Sequence, residues 1–134
     1  EKIMLILKKA ISEKMIKHCK EALPLEACGI LAGKKDKIET AYPMNNTDKS
    51  PVSYFMEPKE QLKAMKGIRE QGLEMLAIYH SHVSSPAYPS KKDVELAFYP
   101  ESSYVIISLA DKIPIVKSFK IQNGGIKEEE VRIE

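Results

Sequence analysis

The chain has 134 residues, with 21 basic and 19 acidic side chains, a net charge of +2, and 43% apolar and 30% charged residues. That is the size and composition of one globular domain, and it excludes intrinsic disorder and any strong electrostatic draw toward nucleic acid or an anionic membrane. Arginine, the side chain best suited to bidentate phosphate and base contacts, occurs only at Arg69 and Arg132.

In chain order, Ile3 to Leu7 is a short apolar run that predicts a strand. It is too short for a signal peptide and runs straight into Lys8 and Lys9. Ser12 is placed to cap a helix reaching about Leu23, with Met15, Ile16, Cys19 and Leu23 on one face and Pro24 as the stop. Ala27 to Ala32 predicts a buried strand that turns at Gly33, and Ile38 to Tyr42 is a candidate to pair with it. Pro43 to Pro51 is a polar loop. Pro58 opens a second helix to Gln71, with Leu62, Met65 and Ile68 spaced for burial and Gly72 at the C-terminal cap. Met75 to Tyr79 predicts a strand buried on both faces. After a polar stretch, a short helix is expected from about Lys91 to Phe98, stopped by Pro100. Tyr104 to Leu109 is a β-branched strand, and Ile113 to Ile121 with Ile126 to Ile133 form a closing hairpin around Asn123-Gly124-Gly125. The sum is α/β, about six strands and three helices, most economically packed as a sheet between helices.

The only cysteines, Cys19 and Cys28, form no CxxC and no dense framework, which fits a reducing, cytoplasmic setting and leaves a single bridge between them open. No apolar run approaches the roughly 20 residues of a membrane span.

Two of the three histidines are His80 and His82, at the end of a predicted strand. Residues i and i+2 of a strand share a side, so the two imidazoles converge. The pair alone is a weak sign, because strand histidines are often surface residues. A zinc site needs a third ligand, and a catalytic one keeps a position open. Asp93 follows a turn containing Pro86 and Pro89 that can fold the chain back beside the strand end. Ser90-Lys91-Lys92-Asp93 is also a capping box by itself. If Asp93 binds a metal it cannot return its full capping bond, and the metal is expected to win. Glu26, where helix gives way to strand, is either an exposed charge or a general base for a metal-bound water. Cys28 has no evident base partner and is expected to pack. His18 is expected to be a satisfied structural histidine. Tyr54 and Tyr88 are candidates for the walls of a groove.

Taken together, Glu26, His80-x-His82, Ser90 and Asp93, with the flanks Pro24-Leu25-Glu26-Ala27-Cys28-Gly29 and Tyr79-His80-Ser81-His82, resemble the JAMM (MPN+) metalloprotease motif of small prokaryotic members. The resemblance covers about Ser12 to Phe119. It implies a curved mixed β-sheet flanked by helices, related to cytidine deaminases. The deaminases themselves are disfavoured, since the chain has no His-x-Glu and no Cys-x-x-Cys. It further implies Zn2+ on His80, His82 and Asp93, Glu26 as acid/base, and Ser90 as an oxyanion stabiliser. The implied substrate is a ubiquitin-like or sulfur-carrier protein cut after its C-terminal Gly-Gly, with no nucleic acid or membrane partner and a homodimer left open. Val83 stands where the family usually has Pro, which is expected to loosen the turn without removing a ligand. The rival is a catalytically silent scaffold of the same fold; such members lack one or more of the five residues, and this chain has all five.

Overall fold

Strand β5 (Ser103–Ser108) shows how the sheet is built. Tyr104 and Ile106 pack into one buried cluster, and Val105 and Ile107 into another. An unbroken apolar run is therefore a strand with both faces covered. The computed structural model describes residues 4–134, so Ile3 of the predicted first strand lies outside the described residues.

The remaining elements are β1 (Met4–Leu7), α1 (Lys9–Ala22), β2 (Cys28–Lys34), β3 (Lys37–Met44), α2 (Pro58–Glu70), β4 (Glu74–His82), α3 (Lys91–Glu95), β6 (Ile115–Gln122) and β7 (Gly125–Ile133). The strands run β1-β3-β2-β4-β5-β6-β7, and β7 pairs back onto β1. The expected curved mixed sheet thus curls until it closes. Its β1–β3, β1–β7 and β4–β5 pairs are parallel and the others antiparallel. One face packs on α1, where Met15 and Cys19 meet Leu7, Leu31 and Tyr79. The other packs on α2, where Ala64 and Ile68 meet Ile30, Ile78 and Ile106.

Several local expectations are corrected. α1 starts at Lys9, with Lys8 as a cap residue that contributes no side-chain bond, and Ser12 is buried inside the helix. The Lys9 N–H goes instead to the carbonyl of Glu134 at 2.6 Å, so the far end of the chain does the work of a cap. Leu23 lies just past the helix, before a cis peptide bond to Pro24, and is exposed. On α2 the inward residues are Ala64 and Ile68, while Leu62 is 69% exposed. α3 ends at Glu95, short of the exposed Phe98. Gly33 is not the turn. It sits in β2 at a register shift, where a Cβ would overlap the Lys37 carbonyl, and the chain reverses at Lys35-Asp36 with Lys35 at φ 59°. Gly72 does occupy the left-handed position after α2, at φ 71°.

Candidate metal centre

The histidines converge because β4 keeps its alternation to its last residue. Ile78, His80 and His82 share one face, while Tyr79 and Ser81 point to the other, where Tyr79 packs with Cys19 and Leu31. Ser81 accepts the Ala27 N–H on its Oγ at 2.8 Å, which ties the end of β4 to the residue after Glu26. His80 and His82 are 1% and 3% exposed, and their Nε2 atoms lie 3.1 Å apart. Asp93 Oδ2 is 3.2 Å from the first and 3.0 Å from the second. Tetrahedral zinc ligands at about 2.0–2.1 Å stand roughly 3.3 Å from one another, so these three atoms fit a common ion.

The turn after β4 prepares His82. Its Nδ1 lies 2.8 Å from the Pro86 carbonyl, which can only accept, so Nδ1 holds a proton and Nε2 is the atom left to ligate. Val83 does not leave this turn loose, because Ser108 Oγ also donates to the Ser85 carbonyl at 2.7 Å. Asp93 is fixed by the capping box: Ser90 Oγ accepts the Asp93 N–H at 3.1 Å, and Asp93 Oδ2 accepts the Ser90 N–H at 2.9 Å. The capping bond is present, and one carboxylate oxygen, Asp93 Oδ2, faces both the cap and the histidines. Burial drives His80 toward its neutral form, only partly offset by Asp93. For His82 burial acts the same way, but the Asp93 and Pro86 oxygens outweigh it and raise its pKa. For Asp93 burial works against ionisation, yet the bonds from His80 and His82 win and hold it well below the usual carboxylate range.

Residues 8–122 match the family model of prokaryotic homologs of the JAB domain. The chain belongs to that family. It is 35% identical to the CysO-cysteine peptidase of Mycobacterium tuberculosis, over 97% of this chain and 91% of the relative. It is 35% identical to a probable TtuB-protein conjugate cleaving protease of Thermus thermophilus, over 71% and 64% of the two chains. The solution structure of a Desulfitobacterium hafniense protein superposes with a TM-score of 0.90 at 46% identity, covering 98% of this chain and 93% of that one.

In this JAB domain Glu26 is 5% exposed, and its Oε1 has no hydrogen-bond partner among the described residues. Burial pushes its pKa up to about 8, while His82 and Lys92 pull it down and Asp93 pushes it further up. Those neighbours are two of the candidate ligands and a lysine on their helix, so Glu26 lies in the field of the candidate centre. On its other side it borders a cavity of about 600 Å³ shared with His18, Leu25 and Asn45. His18 is satisfied as expected, with Nδ1 2.6 Å from the Tyr79 hydroxyl. Cys19 and Cys28 are buried free thiols, each pushed up to about 12 by burial, so neither is poised as a nucleophile. Among the described residues no helix is long and apolar enough to cross a membrane.

Sequence reasoning missed Asn46. Its Nδ2 donates to the carbonyls of Glu26 and Ser53, both at 3.0 Å, and its Oδ1 accepts from Asp48 and Phe55 N–H groups. In the sequence it is one polar residue in a polar loop, and no local signal sets it apart. Tyr54, weighed only as a groove wall, stacks on His80 with ring centroids 4.5 Å apart. Tyr88 packs edge-on against Phe119 instead.

Proposed function

We propose that this chain is a zinc-dependent peptidase that hydrolyses the amide bond after the C-terminal Gly-Gly of a ubiquitin-like or sulfur-carrier protein. The observation that carries the proposal is the triangle of two imidazole nitrogens and one carboxylate oxygen, 3.0 to 3.2 Å on each side, beside a buried carboxyl with one oxygen unpartnered among the described residues. The names borne by the mycobacterial and Thermus relatives, a CysO-cysteine peptidase and a conjugate cleaving protease, support the substrate class.

His80, His82 and Asp93 would hold the ion. Zinc there would supply Lewis acidity and bring the pKa of a water toward neutrality. Glu26 takes the proton of the attacking water. The water oxygen bonds to the carbonyl carbon, the C–N bond breaks, and Glu26 returns the proton to the leaving nitrogen, giving a carboxylate and an amine. The Ser90 Oγ accepts the Asp93 N–H, so its own proton remains available to the developing oxyanion.

The test is a carrier protein ending in Gly-Gly and extended by one amide-linked amino acid, incubated with zinc-loaded protein and followed by mass spectrometry. Release of the amino acid, abolished by a chelator and by His80→Ala, is the expected result. A protein that binds zinc through His80 yet leaves every such conjugate intact would favour the silent scaffold.

A further inference from the structure

The two histidines are not held alike. His82 has its Nδ1 bonded to the Pro86 carbonyl, the usual device that fixes the ring of a metal-ligating histidine. His80 has none: its Nδ1 is buried without a hydrogen-bond partner among the described residues. A strand fixes where the Cβ of His80 points but not the rotation of the ring about it, since that terminal torsion is broad. The Asp93 contact at 3.2 Å holds the Nε2 end of the ring, and the Nδ1 end has no such bond among the described residues.

We propose that Tyr54 is a positioning residue for His80, its ring serving as the wall that fixes the imidazole's rotation. The proposal rests on the reading of His80 as a metal ligand. The Tyr54 ring lies nearly parallel to the imidazole, 26° between planes and 4.5 Å between centroids. The edge of His82 meets the imidazole at 4.9 Å and 62°. Between these contacts the ring cannot turn far without a clash. The wall is itself fixed: Asn46 binds the carbonyl of Ser53 and the N–H of Phe55, the two residues flanking Tyr54. Thr47 adds a backbone and a side-chain bond to the Phe55 carbonyl. The same Asn46 holds the Glu26 carbonyl, so one amide places both the carboxyl and the wall behind the ligand. The flat face makes the contact, so phenylalanine retains it and a small or branched side chain does not.

The experiment compares zinc dissociation constants, by chelator competition, for the wild type and for Tyr54→Phe, Tyr54→Leu, Tyr54→Ala and His80→Ala. Visible spectra of the cobalt-substituted proteins accompany them. Tyr54→Phe is expected to match the wild type in both readouts. Tyr54→Leu and Tyr54→Ala are expected to weaken zinc by about 10-fold or more and to alter the cobalt bands. Leucine keeps the bulk, so it carries the test if the alanine variant fails to fold. Affinity within about twofold of wild type for Tyr54→Leu, with an unchanged cobalt spectrum, overturns the proposal. Equal weakening in Tyr54→Phe also overturns it, because the hydroxyl would then be the operative group. Zinc affinity unaffected by His80→Ala would instead remove the reading of the site on which the proposal stands.

Discussion

A carboxyl in a low-dielectric pocket gives up its proton reluctantly, and Glu26, with one oxygen unpartnered among the described residues, has such a carboxyl. Its folded pKa of about 8 lies above the ordinary 4.5, so folding favours the protonated form. The associated stability is fully present below pH 4.5 and is lost as pH rises through 8. Glutamine mimics the neutral acid and does not titrate. In metal-free protein, Glu26→Gln should therefore gain on the wild type as the pH is raised, by on the order of 5 kcal/mol near pH 9. Denaturation midpoints across the pH range measure this, and parallel curves for the two proteins would mean that Glu26 is not held neutral. The same variant should bind zinc and lose peptidase activity. A divalent cation on the neighbouring candidate ligands would favour the carboxylate, so a group that is protonated in the metal-free protein would be available as a base in a loaded one.

At the scale of elements, α3 is too short to stand on its own hydrogen bonds, and its capping box decides where Asp93 sits. Ser90→Ala removes the cap and the hydroxyl together. It should cost about 1 kcal/mol of stability and lower kcat by roughly 100-fold. Ser90→Thr, which keeps an oxygen able to cap and donate, should recover most of both. If Ser90→Ala turns over at the wild-type rate, the hydroxyl has no part in the chemistry. This box was legible in the sequence because both partners lie within four residues, and the His80/His82 pair was legible because strand alternation is local. The start of α1 was not, because its first N–H is met by Glu134 from the other end of the chain. Nor was the exposure of Leu62, since which face of α2 is buried depends on where β4 and β3 lie beneath it. Asn46 and Tyr54 belong with these: their importance comes from Glu26 and His80, which the fold brings to them.

For the whole molecule, the layers were foreseeable from composition and pattern, but closure was not. The β1–β7 pairing joins Met4 to Glu130 and Leu7 to Ile133, a contact between chain ends that no window of sequence contains. The candidate metal centre has the same non-local character, since β2 supplies Cys28 opposite His80 and β5 supplies Ile106 and Ser108 beside the two histidines. An ion held by β4 and α3 should therefore stabilise the closed fold as a unit, because the unfolded chain does not hold its ligands together. Free zinc at about 1,000 times its dissociation constant adds roughly 4 kcal/mol. For a domain of this size that should raise Tm by about 10–20 °C. A thermal titration of chelated protein with zinc should show Tm climbing with the logarithm of free zinc above the dissociation constant. His80→Ala should show no such climb. A wild-type Tm that ignores zinc would mean that the three ligand atoms are held together by their own hydrogen bonds and do not bind the ion. A rise shared by His80→Ala would place the ion elsewhere in the chain.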